Sequence, residues 1–266
     1  MKTDILYVVK KEESYEDLRL SLRSVAKNCA GVGRVYIVGT IPDWVNRAEV
    51  VCVPFQDRYL RKHKNILNAI MHAVEHTEIG KEAEHGMFML SSDDHFYVRA
   101  MDMRWGATPM WFNGAIHSRK DIERMVLNGE KVSNWVRSMA ETREVLLKWN
   151  YNCLMFSQHA NTWFSRELME EQAFGDLVYA AQKGTDFGCE PSCLMGNYML
   201  ARRPEWIGSL KYRQDLKLSD DSKADVLYDV LLRSERECVS GSDVAVGGLL
   251  QSMLQKMFNE RCKYEK

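Results

Sequence analysis

An α/β fold is predicted for this sequence: a wound mixed sheet flanked by helices, followed by a mostly helical C-terminal elaboration. Three observations predict it. Short apolar runs alternate with helical patterns through about the first hundred residues. Hydrophobic residues make up 45% of the 266, enough for a sizeable core in one large or two small domains. The stretch 87–97, MFMLSSDDHFY, is an ungapped apolar run bounded by Gly86 and ending in Asp93, Asp94 and His95. Such a run reads as a strand buried on both faces of a sheet.

The elements follow in order. Ile5–Val9 (ILYVV) is the first β-rich run. Tyr15–Asn28 places Leu18, Leu22 and Val25 at helical spacing, with Ser14 available as N-cap and Gly31 and Gly33 as stops. Arg34–Gly39 (RVYIVG) is a second strand, Ile41–Trp44 a turn, and Glu49–Val53 (EVVCV) a third strand. Lys64–His76 sets Ile66, Leu67, Ile70, Met71 and Val74 on one helical face, and Met87–Leu90 follows as a strand. Beyond it, Met103–Ile116 is rich in Trp, Met and Gly and holds a turn signal at Asn113-Gly114. Residues 121–149 read as helix broken at Asn128-Gly129, with Trp135 among the apolar positions, and Phe164–Lys183 reads as another helix. A short strand at Glu237–Ser240 precedes a closing helix over Asp243–Cys262. No composition break separates residues 1–104 from 105–266, so the second part reads as an elaboration on the first sheet within one continuous domain.

Composition excludes several classes. Five prolines and the absence of low-complexity sequence argue against disorder. Lys+Arg 36 against Asp+Glu 37 leaves a net charge of −1, so the global balance demands no nucleic acid. The apolar run in MKTDILYVVKKEE is too short for a signal peptide or a membrane span. Seven cysteines, an odd number without CxxC spacing, read as reduced thiols and a cytoplasmic chain; Cys189 and Cys193, four apart, are a weak zinc or disulfide signal. Walker A, GxGxxG, HExxH and GxSxG patterns are all missing.

Two carboxylates at a strand end are costly unless a cation or basic side chains offset them. In open α/β sheets ligands bind beyond the carboxyl ends of the strands, where Asp93 and Asp94 would hold Mg²⁺ or Mn²⁺ against a diphosphate. The competing reading makes Asp94 a cap of the next turn and His95 a packing residue. Arg19 and Arg23, four apart, share one helix face and either grip phosphate, brace acidic residues or face solvent. The basic run Arg58–Lys64 precedes a helix N-terminus and suits either a diphosphate or a solvated surface. His159, in Ser157–Asn161, and Asp243, before the last helix, stand between a functional and a structural or capping role. Trp105, Trp111 and Trp163 are stacking candidates, at least one of them core.

Together these residues resemble the Stealth family of sugar-phosphate transferases and related A-type glycosyltransferases. Asp4–Val9 is similar to the opening strand, and Asp17–Val25 (DLRLSLRSV) to the ELRYSLRSI segment. Arg34–Gly39 with Ile41–Asn46 is similar to IYIVT…P.WLN. Ser92–Phe96 (SDDHF) matches the NDD motif with Ser92 in place of Asn. Ser157–Ala160 resembles the late H-x-P segment, with Asn161 where proline is common, and Phe258–Lys266 resembles the closing segment of compact members. The resemblance covers about the first hundred residues well and the rest patchily. It implies a GT-A, Rossmann-like fold, a nucleotide-diphosphate sugar as donor, and a divalent metal (Mn²⁺ or Mg²⁺) at Asp93 and Asp94. It further implies donor contacts from Tyr7, Arg19, Arg23, Lys64 and Asn65, and catalytic roles for His159, Asp243 and Arg143. The N-terminal half would bind donor and metal, and the C-terminal half the acceptor. Compact members resemble enzymes of bacteria and their phages, whose acceptors are glycans or hydroxymethylated DNA bases. Transfer of a sugar 1-phosphate, as in Stealth members, is one alternative; a non-catalytic nucleic-acid-binding protein using the 58–64 patch is another.

Overall fold

A computed structural model describes residues 1–107, 110–156, 162–207, 210–212, 217–219, 221–242 and 248–266. In chain order the first half forms β1 (Thr3–Val9), α1 (Glu16–Asn28), β2 (Val32–Gly39), β3 (Val50–Pro54), α2 (Lys62–His76), β4 (Met87–Ser91) and β5 (His95–Tyr97). The second half forms β6 (Met110–Ala115), α3 (Arg119–Leu127), α4 (Asn134–Lys148), β7 (Leu154–Phe156), β8 (Thr162–Ser165), α5 (Arg166–Met169), α6 (Gln172–Lys183) and α7 (Pro191–Arg202). It closes with β9 (Leu210–Tyr212), β10 (Lys217–Ser219), α8 (Ala224–Tyr228), β11 (Cys238–Ser242) and α9 (Leu249–Met257).

The central sheet runs β8-β4-β1-β2-β3. β1 pairs in parallel with β2 (Tyr7 opposite Ile37) and with β4 (Tyr7 opposite Ser91), and β3 extends the parallel set. The apolar runs work because both faces are covered: Ile5, Leu6, Val35, Ile37, Val38, Met87, Phe88 and Met89 are fully enclosed. The crossover from β1 leads to β2 on one side, and β4 returns on the other. The sheet therefore switches direction between β1 and β4, and a crevice is left beyond their carboxyl ends. Gly39 keeps that end tight, since at φ +116° a Cβ would sit 2.0 Å from the Val9 carbonyl oxygen.

The second half feeds this sheet as well as covering it. β8 pairs antiparallel with β4, Phe164 opposite Phe88, their rings stacked at 5.7 Å. Phe164 and Ser165 were expected to begin a helix over 164–183, but they end the strand Thr162–Ser165. A short TWFS run does not distinguish helix from strand by period, and burying Trp163 and Phe164 completely, about 2–3 kcal/mol each, decides for the sheet. The expected helix instead divides into α5 and α6. Asn113-Gly114 is not a turn: β6 runs through it, and the register shift between Phe112 and Ala115 absorbs Gly114 at φ +125° as an irregularity. The Asn128-Gly129 break separates α3 from α4, and α4 takes Ser133 as its N-cap. Ser14 accepts from the Glu16 backbone N–H at 3.3 Å, but Tyr15 is the N-cap of α1. The closing helix is the shorter Leu249–Met257.

β5, β10 and β11 make a second small sheet, with β11 between the other two. All seven cysteines are free thiols; Cys189, Cys193 and Cys238 are buried and the others half-buried. Among the described residues no helix is long and apolar enough to cross a membrane.

Candidate functional site

The site is assembled where the sheet changes direction. After β4, the chain turns at Ser92–His95, with the His95 N–H donating to the Ser92 carbonyl at 3.1 Å, and enters β5. The DLRLSLRSV pattern explains how this turn is held. On α1, Ser21 and Ser24 are buried among apolar residues. Ser21 Oγ donates to the His95 carbonyl at 2.6 Å, Ser24 Oγ accepts from the Tyr97 N–H at 2.9 Å, and Asn28 Nδ2 donates to the Tyr97 carbonyl at 2.5 Å. The polar face of α1 therefore does for β5 what a neighbouring strand would do. Tyr7 completes the chain. With the Ser21 proton committed to His95, the Tyr7 hydroxyl donates to Ser21 Oγ at 3.0 Å. Tyr7 is fully enclosed, and burial raises its hydroxyl far above the ordinary phenol range. It supports the site from beneath and does not face a donor.

Beyond this turn lies a cleft of about 640 Å³, bounded by the ends of β1 (Val9, Lys10), β2 (Gly39) and β4 (Ser91) and by the Ser92–His95 turn. Asp93 and Asp94 both line it, with Asp17 of α1 and Glu12 alongside. Burial, then Asp94, then Glu12 raise the Asp93 carboxyl above the ordinary carboxylate value, against smaller opposing effects of Ser92 and Lys62. Burial together with Asp93, Asp94, Glu12 and Glu16 pushes Asp17 up to about 7. The cleft thus gathers carboxylates that raise the proton affinity of Asp93 and Asp17, although Lys10 pairs with Glu12 at 2.9 Å and Lys62 and Lys217 also line it. Asp94 does not cap a helix; its Oδ2 accepts from Ser240 Oγ at 3.2 Å and its carbonyl from the Gly241 N–H at 2.9 Å, tying the turn to β11. His95 is 3% exposed, and its Nδ1 accepts from the Ser92 N–H at 3.3 Å, so it orients the turn.

The donor set is hard oxygen, the kind Mg²⁺ and Mn²⁺ prefer. Among the described residues no three or more His, Cys, Asp or Glu converge as a protein-only cation site. One or two carboxylates completed by phosphate oxygens and water are what Mg²⁺ usually takes, and Asp93 and Asp94 fit that arrangement.

The remaining expected residues separate into those in the cleft and those elsewhere. Asn65 lines it and is 8% exposed. Its Oδ1 accepts from the Arg58 and Tyr59 N–H groups at 3.1 and 2.9 Å, and its Nδ2 donates to the Tyr59 carbonyl at 2.7 Å. Asn65 therefore shapes the basic loop that leads into α2 at Lys62. Lys64 turns away, its Nζ donating to the Gln182 and Thr185 carbonyls at 2.8 and 2.5 Å at the end of α6. Arg19 and Arg23 do share a face, but it faces the C-terminus. Arg23 grips Glu265 through two hydrogen bonds of 2.7 and 2.8 Å, and Arg19 Nε lies 3.4 Å from the same carboxylate. Arg143 donates to the Ile116 carbonyl at 3.0 Å and braces β6. Trp163 is core and meets Trp105 edge-on at 4.9 Å. His159 and Asp243 lie outside the described residues. Two cleft residues carry no clear sequence signal: Lys217 of β10, and Asp17, whose coupling to Asp93 crosses most of the first half.

No protein-family model matches the chain, and no curated protein does. Among solved structures, the chain is similar to the apo-form glycosyltransferase GlyE of Streptococcus pneumoniae TIGR4, with 9% identity and a TM-score of 0.44 over 98% of this chain and 61% of that one. It is also similar to an active-site mutant of LgtC, with 10% identity and a TM-score of 0.49 over 97% of this chain and 95% of that one. The chain spans about three fifths of the length of GlyE.

Proposed function

We propose that this protein is a metal-dependent glycosyltransferase that moves a sugar from a nucleotide-diphosphate donor to an acceptor hydroxyl. The observation that carries the reading is the position of Asp93 and Asp94. They stand at the carboxyl end of β4, beside the sheet's switch point, in a cleft whose carboxylates raise one another's proton affinity. A divalent cation held by Asp93 and Asp94 would neutralise charge developing on the leaving diphosphate. Lys62 and Lys217, both in the cleft, supply positive charge for the same phosphates. Asn65 acts indirectly, by holding the loop that leads into α2 at Lys62. The acceptor's proton goes to His159 or Asp243. Both follow or precede cleft residues closely in the chain, Thr162 and Gly241 respectively, and such a base works best with a pKa near the operating pH.

The test is Asp94→Asn, which keeps an oxygen for Ser240. Nucleotide diphosphates with Mn²⁺ should raise the melting temperature of the parent, because a ligand of the native state alone stabilises it. The variant should lose that rise and lose nucleotide-sugar turnover while staying folded. Full turnover in the variant, or in excess chelator, overturns the metal role. Product analysis separates the sugar-phosphate alternative: a nucleoside diphosphate is released in sugar transfer, a monophosphate in phosphosugar transfer. The nucleic-acid alternative draws on a basic run already partly used inside the molecule, with Lys64 on two carbonyls and His63 Nε2 3.1 Å from Glu190.

A further inference from the structure

The cleft has a second lobe, of about 620 Å³, that meets the first at Leu60, Lys62, His63, Ser92, Asp94 and Lys217. Four residues line this lobe and not the first: Arg61, Asn134, Trp135 and Phe187. Its character differs from the donor side. The first lobe runs along the ends of β1, β2 and β3 past Gly39, Phe55 and Asp57, and is rich in carboxylates. Among the described residues, the second has aromatic walls and adds Arg61 to the Lys62 and Lys217 that it shares with the first.

Each wall is braced from behind. Trp135, in the first turn of α4, meets His117 edge-on at 6.1 Å. Phe187 is held by its loop, whose Asp186 and Phe187 N–H groups donate to the two oxygens of Glu141 at 3.0 and 2.8 Å. The Arg61 guanidinium lies 4.5 Å from the Phe187 ring centroid, and Arg137 lies 5.7 Å from it. Among the described residues no carboxylate pairs with Arg61, an exposed residue whose guanidinium lies over the Phe187 ring. A guanidinium over an aromatic ring and without a carboxylate partner suits a carboxylate or phosphate. An indole face beside it suits the C–H face of a sugar ring.

Resting on the sugar-transfer reading of the first lobe, we propose that this second lobe is the acceptor subsite and that its ligand is an acidic sugar. Trp135 stacks on the ring, and Arg61 binds a carboxylate or phosphate carried by it. Seated there, an acceptor reaches toward Asp94 and Lys217, where the two lobes join. A glycan is favoured over DNA because the lobe is a recess walled by Trp135 and Phe187, and a chain of net charge −1 lacks the broad basic footprint of a nucleic-acid binder.

The experiment titrates the intact chain, free of donor and metal, with methyl glucuronide, glucose 6-phosphate, neutral methyl glucoside and an oligonucleotide containing hydroxymethylcytosine, followed by calorimetry or saturation-transfer NMR. Acidic sugars should bind roughly tenfold or more tightly than methyl glucoside, the scale of one charge-assisted contact. Comparing glucuronide with the phosphate shows which anion is preferred. Arg61→Gln should reduce both to the affinity of the neutral sugar, Arg61→Lys should restore part of the preference, and Trp135→Ala should weaken charged and neutral sugars alike. Equal binding of neutral and acidic sugars, an unchanged preference in Arg61→Gln, no sugar binding up to the solubility limit, or binding of the oligonucleotide alone each overturns the proposal. Mn²⁺-dependent nucleotide binding is read separately on the same preparation. Its absence with acidic-sugar binding intact defeats the donor reading, and with it the acceptor role, while leaving an acidic-sugar site; the reverse result defeats the subsite alone.

Discussion

Replacing Asp17 by Asn should make the metal-free protein more stable at pH 8 and leave it nearly unchanged at pH 4. Burial and the neighbouring carboxylates push the Asp17 carboxyl from its ordinary 3.8 up to about 7. An acid whose affinity for its proton rises on folding stays protonated in the native state while the unfolded chain ionises. The native state therefore loses stability as pH rises from about 4 to about 7, and the loss is constant above that. At about 1.4 kcal/mol per tenfold change in proton affinity, the full effect is roughly 4 kcal/mol. Asp17 is only half-buried, and solvent screening reduces this to about 2 kcal/mol. Asparagine also gives up the favourable interaction of a carboxylate with the first turn of α1, about 0.5 kcal/mol, so a net gain of roughly 1.5 kcal/mol remains at pH 8. At pH 4 the native Asp17 carries its proton and the unfolded chain is still partly protonated, so the substitution changes little. Urea unfolding at both pH values with chelator present measures this directly. A variant whose stability follows pH with the parent's slope, or which is weaker than the parent at pH 8, refutes the claim that Asp17 is held in a field of carboxylates. Mn²⁺ should raise the parent at pH 8 more than the variant, because the cation removes the same repulsion.

Two further substitutions probe the supports of the site. Asn65→Ala strands the Arg58 and Tyr59 N–H groups and should cost about 2 kcal/mol. Limited proteolysis should show new cleavage between residues 57 and 62, whereas Asn65→Asp, which keeps the acceptor oxygen, should resist it. Arg23→Ala leaves the Glu265 carboxylate, 9% exposed, without its two-pronged partner and should cost about 3 kcal/mol. Burial is the largest single effect and raises the Glu265 carboxyl, but the hydrogen bond and charge of Arg23 together with hydrogen bonds from Cys262 outweigh it and hold the group below its ordinary 4.5. The stability that pair contributes is present above about pH 4.5 and is lost as pH falls through the lower native value. Stability curves of parent and variant should therefore converge in acid; curves that stay parallel to low pH refute the assignment.

The parallel strands were legible because they are enclosed on both faces, which makes each an unbroken apolar run whatever its neighbours. α1 was legible for the same reason in helical period, and so was the shared face of Arg19 and Arg23. Their destination was not. Glu265 lies 242 positions from Arg23, and no local pattern reports a partner at that distance. β8 was misassigned because four residues have too little period to oppose a helix, and its pairing with β4 is settled by burial of Trp163 and Phe164. Trp135 reads from spacing as one more apolar position of a helix. It becomes a cleft wall only because α4 starts at Ser133 and turns its first residues toward Arg61 and Phe187.

The serines and arginines of DLRLSLRSV show how one short segment can be recognised and still be assigned the wrong task. Its resemblance to a donor-binding motif pointed to the arginines as phosphate ligands. In this fold the arginines clamp the C-terminus, and the buried serines, the least conspicuous residues of the motif, hold the strand behind Asp93 and Asp94. A buried hydroxyl that satisfies a strand's backbone groups cannot be exchanged for alanine without leaving a stranded donor or acceptor, at about 1–3 kcal/mol. The arginines are constrained too, but by the Glu265 carboxylate at the far end of the chain rather than by the cleft. The pattern on α1 is therefore explained by what the turn after β4 needs from the helix behind it: two hydroxyls and an amide at fixed positions along one face. The position of the acidic pair is then set by α1, and the donor chemistry proposed for the cleft depends on that helix without its touching the donor.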